Sequence, residues 1–276
     1  SGLVAFQKAL SVTANNISNA NTEGYSRQRV ELSARPPSGF GNGFVGNGVD
    51  VTTVERLIDQ FAIGQLRTNT SQLGQLSSYA EFAGRVDNVM GDPNAGIATG
   101  LQAFFNAWQT VANDPASITN RSLLLQQAQA LADKFQQTSL RLDTIAEDVN
   151  TRIDAAVDEI NSLASSIAKL NDQISIAQAN AGGQPANDLL DQRDDLLLQL
   201  SKMVNVQTNV ENDGQVSVFV GNGQSLVLRN QAVPITAVRN TFDATQADIA
   251  YVRNGVQQII TNSLSGGELG GLLQIR

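Results

Sequence analysis

The stretch LADKFQQTSLRLDTIAEDVNTRIDAAVDEINSLASSIAKLNDQISIA, residues 131–177, decides the architecture. Its apolar positions run Leu131, Phe135, Thr138, Leu142, Ile145, Val149, Ile153, Ala156, Ile160, Leu163, Ile167, Leu170, Ile174 and Ala177, in alternating steps of four and three. That spacing places them on one stripe of an α-helix. One departure occurs: Ile145, Val149 and Ile153 follow consecutive steps of four, a stutter that locally unwinds a supercoil. No Gly or Pro interrupts the segment from Ser117 to Gln178. At the α-helical rise this is a rod of roughly 90 Å, longer than a globular domain of this size can hold. The fold must be elongated. The stripe Ile160, Leu163, Ile167 and Leu170 is expected to pack on antiparallel neighbours, first among them a helix over Glu55–Val89.

Beyond the rod, Gly182-Gly183 breaks the helix, and a further one follows with Asp188 near its start and Leu189, Leu190, Leu196, Leu197 and Leu200 apolar. The period then changes to two, through Val204, Val206, Val210, Val216, Val218, Val220, Leu226 and Leu228. Asn212-Asp213-Gly214 predicts a tight hairpin turn, and Asn254-Gly255 a second, between Ile249–Arg253 and Val256–Thr261. Ser265-Gly266-Gly267-Glu268 has capping-box spacing and starts a last helix through Leu269, Leu272, Leu273 and Ile275.

On the N-terminal side of the rod, Ile97, Leu101, Phe104, Phe105, Trp108 and Val111 predict a shorter helix that ends near Asn113-Asp114-Pro115. Leu57, Ile58, Phe61, Leu66, Leu73, Leu76 and Phe82 carry the Glu55–Val89 helix, stopped by Asp92-Pro93. Residues 25–54 are extended and loop-rich, because Pro36-Pro37 excludes helix and five glycines lie between Gly39 and Gly48. Val49, Val51 and Val54 suggest a strand there. The chain opens in a helix with Leu3, Phe6, Leu10 and Ile17 on one stripe, ending in the Asn-rich stretch Asn15–Asn21 with Gly24 as a turn residue. The first helix has no preceding cap and the last is short, so a chain trimmed at both ends is expected. The fold class is mainly α with a small β part: an elongated antiparallel helical bundle or coiled coil plus β-hairpins. Five segments follow: an axial helix and signature (1–30), an extended linker (31–54), a long-helix shaft (55–203), a β-hairpin-rich part packed on it (204–262), and the start of a truncated helix (263–276).

Composition narrows the chemistry. Among 276 residues, 18 are Lys or Arg and 26 Asp or Glu, a formal charge of −8. Such a chain has no electrostatic footprint for a phosphate backbone and no basic amphipathic face for a membrane, so neither nucleic acid nor membrane is expected as a partner. Cysteine and histidine are absent, which removes disulfides, ordinary zinc sites and His-based triads. No run reaches transmembrane length, and Ser1–Leu10 lacks a basic n-region and an apolar h-region, so no cleavable secretory signal is visible.

Four constellations imitate sites. Gly41-Asn42-Gly43-Phe44-Val45-Gly46 satisfies G-x-G-x-x-G, but Pro36-Pro37 precedes it and an extended segment follows, so a loop is the better reading. Asn209, Glu211, Asp213 and Gly214 resemble half an EF-hand loop whose twelfth position would be Val220, so calcium has no bidentate acid. Asp188, Asp191, Asp194 and Asp195, with Arg193 among them, read as a solvated helix face whose acids suit the helix N-terminus; Asp191 and Asp195 could alternatively pair for hydrolysis. Trp108 with Phe104 and Phe105 reads as core rather than a ligand platform. No catalytic, cofactor or metal site is expected.

The decisive motif is Asn15-Asn16-Ile17-Ser18-Asn19-Ala20-Asn21-Thr22-Glu23-Gly24-Tyr25-Ser26-Arg27-Gln28. It resembles the N-terminal signature of flagellar axial proteins, and its Gly-Tyr-Ser-Arg-Gln ending resembles the hook-associated protein 1 family. Gly48-Val49-Asp50-Val51 with Val54, Arg56, Asp59 and Phe61 is similar to that family's next segment. So are Gln192-Arg193-Asp194, Asp213–Val216, Gly221–Leu226 and Gly267–Leu273. The resemblance implies a structural, non-enzymatic subunit joining hook to filament at the distal end of the hook. It implies an inner domain of paired N- and C-terminal helices and export, unfolded, through the flagellar type III channel. Implied partners are the hook protein, hook-associated protein 3, further copies in a ring and a cytoplasmic export chaperone. The assembly surface would comprise Leu3, Phe6, Leu10 and Ile17, with Asn15, Asn16, Asn19, Asn21, Thr22, Gly24, Tyr25, Arg27 and Gln28. A soluble coiled-coil scaffold, with the axial motif coincidental, is the alternative.

Overall fold

The computed structural model describes residues 2–41, 43–92, 96–211, 213–253 and 255–276. Asn42, Pro93, Asn212 and Asn254, which belong to the loop, stop and turns read from the sequence, lie outside the described residues. Helix α1 (Gly2–Ser18) leads into strand β1 (Gln28–Ala34), the short strands β2 (Ser38–Phe40) and β3 (Gly43–Val45), and β4 (Val49–Arg56). Strands β1 and β4 pair antiparallel with Gln28 opposite Arg56, while β2 pairs with β3. The segment 31–54 is therefore extended and also paired, as the two arms of a hairpin.

Four helices follow: α2 (Gln60–Met90), α3 (Ile97–Asn113), α4 (Ile118–Asn180) and α5 (Asn187–Met203). Asp59 starts α2 by accepting from the Phe61 and Ala62 amides, and Ser117 Oγ starts α4 by accepting from the Asn120 amide. Gly182 and Gly183, both at positive φ, end α4, which has 63 residues and a length of ~95 Å. Strands β5 (Val206–Val210), β6 (Val216–Val220), β7 (Gln224–Leu228) and β8 (Gln231–Ala232) form one sheet in that order. Strand β10 (Ala247–Arg253) is central in a second sheet, between β9 (Ile235–Arg239) and β11 (Val256–Ile259). Helix α6 (Gly267–Ile275) closes the chain.

One continuous apolar core joins the second half of α4, from Val149 on, to α5, the two sheets and α6. Ile153, Ile160 and Ile167 are fully buried in it with Leu197, Leu200, Val218, Leu226, Ile249, Leu269 and Leu272. The neighbour expected for the Ile160–Leu170 stripe is thus corrected: α5, α6 and the sheets cover it more than α2 does. The cause lies in the side chains of α2. Leu66, Leu73 and Leu76 point outward, and the face turned to the molecule carries Ser71, Gly74, Ser78 and Phe82. These small residues let α6 approach closely, with Gly270 and Gly271 facing Gln75 and Ser78.

Polar clamps fix the sheet to the rod. Asn171 is fully buried; its Oδ1 accepts from the Val216 amide and Arg193 Nη1, and its Nδ2 donates to the Val216 and Arg229 carbonyls. Arg193 also donates to the Gly214 carbonyl at 2.6 Å. Burial pushes the Arg193 guanidinium down to about 10, which leaves it charged at neutral pH.

Two further expectations change. Among the described residues the first half of α4 packs mainly on α3, with Gly100 against Leu131 and Lys134, while Arg85 of α2 pairs with Asp148 at the end of that half; Phe105 and Trp108 stay outside, 62% and 59% exposed. The aromatic trio is an edge-packed cluster on a two-helix hairpin, not core. The capping box at Ser265 does not form. Gly266, at φ +68°, is the N-cap without a side-chain bond, and Glu268 pairs with Arg152 instead.

Candidate assembly surface

Helix α1 turns its faces in an order that hydrophobicity alone would invert. Ala5 is buried, and Gly2, Ala9, Val12, Asn16 and Asn19, three or four residues apart, are half-buried on the side that packs on β1 and β4. Small side chains let the helix lie close to the hairpin. The large ones face away: Leu3, Phe6, Leu10 and Ile17 are 67–74% exposed. Four large apolar side chains on one open stripe form a contiguous patch of the kind that marks an interaction site.

The Asn-rich signature is the device that holds this helix in place. Asn16 Oδ1 accepts from the Gln28 amide and the Tyr25 hydroxyl, and Asn16 Nδ2 donates to the Gln28 carbonyl, each at 2.9 Å. A side-chain amide thereby bonds the start of β1 at two points, as a neighbouring strand would. Asn19 Nδ2 donates to the carbonyl and side chain of Asn15, and Thr22 Oγ1 donates to Asn19 Oδ1. Gly24 turns the chain at φ +80°. Asn21 and Arg27 are exposed, and the Arg27 carbonyl accepts from the Leu57 amide. Of the expected surface residues, Leu3, Phe6, Leu10 and Ile17 share the open stripe, whereas Asn16, Tyr25 and Gln28 are tied up internally.

Burial first, then the charges of Asp188 and Asp191, raise the Tyr25 phenol above its usual value. A raised phenol favours the protonated folded form, so its hydroxyl bond is fully present below the ordinary value of 10.0 and is lost as pH climbs through the raised one. Tyr25→Phe should therefore delete a component of the phenol absorbance titration that lies above the ordinary value. A difference titration centred at or below the ordinary phenol value would contradict the geometry.

The acidic cluster on α5 is where the signature docks, which corrects its reading as a solvated face. Asp191 Oδ2 accepts from the Ser26 amide at 3.0 Å, Asp188 Oδ1 from Gln28 Nε2 at 3.2 Å, and Arg56 Nη1 reaches both Asp191 Oδ1 and Asp194 Oδ2 at 2.8 Å. Arg56 and Asp191 are buried, and Asp195 is occupied by Gln199. No carboxylate pair is left for hydrolysis. Sequence reasoning missed Arg56 and Asp191 as partners because 135 positions separate them. The small-residue row Gly2, Ala5, Ala9 and Val12 was a signal in plain view.

The imitation sites dissolve into local structure. Gly41 and Gly43 flank the tip of the β2–β3 hairpin. Glu211 and Asp213 cap their own turn and bond Asn209, Ser217 and Gln215. Among the described residues no group of three acids is placed to hold a metal ion, and no helix is long and apolar enough to cross a membrane.

Residues 83–276 match the family described as flagellar hook-associated protein FlgK helical domain, and residues 1–25 match the flagella basal body rod protein family. The chain belongs to the FlgK family. It is 37% identical over its whole length to flagellar hook-associated protein 1 of Salmonella typhimurium and 36% identical to that of Escherichia coli K12, covering 50% and 51% of those proteins. The Bacillus subtilis protein of the same name is 30% identical over 99% of the chain. The chain spans about half the length of these curated FlgK relatives. A solved structure described as the flagellar hook junction protein FlgK of Burkholderia pseudomallei superposes with a TM-score of 0.70 at 35% identity, covering 77% of this chain and 39% of that one. The first eleven positions of the axial motif, residues 15–25, thus fall inside the stretch that matches the rod family, in a chain that belongs as a whole to the FlgK family.

Proposed function

We propose that this chain is the N-terminal and middle part of a structural subunit, not an enzyme, that joins the flagellar hook to the filament. The observation that carries the reading is the open apolar stripe of α1, which lies in the stretch that matches the rod family and is held outward by the Asn-rich signature. The stripe is the axial contact, and the helical shaft beneath it supports the contact. Neighbours in the assembled junction are the hook protein, hook-associated protein 3 and further copies in a ring. The subunit reaches the distal end of the hook outside the cell, without a cleavable signal, after release from a cytoplasmic export chaperone.

Exposed side chains are dispensable for folding and indispensable for docking, and this separates the test from stability. In the full-length protein, changing Leu3, Phe6, Leu10 and Ile17 together to Ser should leave the circular dichroism spectrum and unfolding midpoint near the parent. Filament attachment and swimming of a strain lacking the parent gene should not be restored. Swimming cells with attached filaments would refute the assignment of this face.

A further inference from the structure

We infer that Asp191 and Asp194 are positioning residues: they set the angle at which the N-terminal unit, residues 2–56, stands on the helical shaft, through a narrow polar joint centred on Arg56. The consequence for assembly rests on the function proposed above; the joint itself does not.

The apolar core ends below the joint. None of the described residues between 2 and 56 contributes to it. Besides the Leu57 amide that donates to the Arg27 carbonyl where the chain continues, hydrogen bonds across the seam join Ser26, Gln28, Thr52, Val54 and Arg56 with Gln184, Asn187, Asp188, Asp191 and Asp194. Two open clefts lie along this seam, both reaching Asn15 and Asp188. One, of about 560 Å3, separates α1 from the turn and first residues of α5; the other, of about 300 Å3, lies between the signature turn and Asp188, Asp191 and Asp195. Wide apolar interfaces resist rotation because any tilt exposes area. A narrow polar seam bordered by open clefts resists it through the geometry of its bonds.

Asp191 dominates that geometry. Its two oxygens grip both arms of the hairpin at the base, Oδ2 on the Ser26 amide before β1 and Oδ1 on Arg56 at the end of β4. Because Gln28 stands opposite Arg56, and Asn16 is bonded twice to Gln28, the grip passes to α1 through short rigid links. The direction of the Leu3–Ile17 stripe relative to the shaft is therefore fixed at one carboxylate, with Asp194 accepting from the same Arg56 Nη1.

Neutralising a buried partner normally strands the other charge at high cost. Here Arg56 has a cheaper outlet. Opening the joint returns the guanidinium to water and leaves the core of α4, α5 and the sheets intact. Loss of the carboxylates should thus release orientation rather than unfold the shaft.

The chain has no cysteine, so spin labels can be placed cleanly at Gln7→Cys on α1 and Lys169→Cys on α4. The parent should give one narrow distance peak. Asp191→Asn with Asp194→Asn should widen or split it by about twofold or more, with the unfolding midpoint close to the parent. Asp191→Glu, which keeps the charge, should stay narrow. Arg56→Gln, on the far side of the joint and outside the core, should reproduce the widening. Peaks as narrow as the parent in both neutralised variants would overturn the inference, and so would widening that occurs only together with a collapsed midpoint. In the full-length protein the widened variants should lose filament attachment. Normal attachment with a widened peak, while the Ser-substituted α1 stripe fails to attach, would remove the positioning role and leave the assembly reading standing. Normal attachment of the Ser-substituted stripe would remove the assembly reading and leave the spectroscopic result untouched.

Discussion

Gly267→Ala should leave little folded chain, with a loss of more than about 4 kcal/mol, at the far end of what single substitutions do. Two independent penalties coincide there. Gly267 sits at φ +60°, where a side chain already costs about 1–2 kcal/mol. A Cβ would also stand 2.2 Å from the Met203 carbonyl carbon and the Val204 nitrogen, backbone atoms at the end of α5 that cannot rotate away. Gly271→Ala tests the same seat without the φ penalty. Its Cβ would lie 2.4 Å from the Gln75 carbonyl oxygen and 2.9 Å from Ser78 Cβ, so α6 would have to lift off α2, exposing Leu269 and Leu272. Gly182→Ala is the control: φ is +64° but nothing lies within 4 Å of the added carbon, so only the conformational cost of about 1–2 kcal/mol should appear. Denaturant midpoints on the three variants check the order. A Gly271→Ala chain as stable as the parent would mean that α6 is not seated on α2 at this distance.

That seat shows where the sequence stops being legible. A period of 3.6 residues announces a helix whether its stripe is covered or open, so α4 could be read end to end while the cover of each half could not. On α2 the large residues Leu66, Leu73 and Leu76 attracted the eye, yet the packed face consists of Ser71, Gly74 and Ser78, chosen for size rather than hydrophobicity. Ile235–Arg239 passed unread as a strand because five residues after a proline show little alternation. The β5–β6 and β10–β11 hairpins, the Gly182-Gly183 stop and the end of α1 were legible because local backbone chemistry determines them, whereas the β1–β4, β6–β7 and β9–β10 pairings were not. In the candidate site the Asn tract was legible as a motif, but its work was not. Asn16 spends its side chain on Gln28, twelve residues away, and Asp191 serves Ser26 and Arg56 across more than a hundred. Contacts of that separation leave no periodic trace.

The same helix supplies a second large effect and its own control. Ile167→Ala on α4 should cost about 2–5 kcal/mol, the range for truncating a large aliphatic side chain in a packed interior. Ile167 is fully buried in the cluster that includes Leu197, Leu200, Val216, Val218 and Leu226. Rigid elements on several sides prevent collapse, so a cavity should persist and place the cost in the upper part of that range. Leu140→Ala lies about seven turns away on the same helix, is 59% exposed, and should change stability by no more than about 0.5 kcal/mol. Helix propensity cannot separate the two, because Ala is at least as good a helix former as either residue. Only tertiary cover can. Urea unfolding of both variants, followed by circular dichroism, measures the difference directly. Equal midpoints would show that α4 is held along its whole length by something other than the core of α5, α6 and the sheets. A large loss at Leu140 alone would move the centre of stability to the α3–α4 hairpin. The expected asymmetry makes α4 a rod anchored in the core over its second half and paired with α3 over its first, which is how one chain can be firmly folded and still present a long helical arm with much of its surface open.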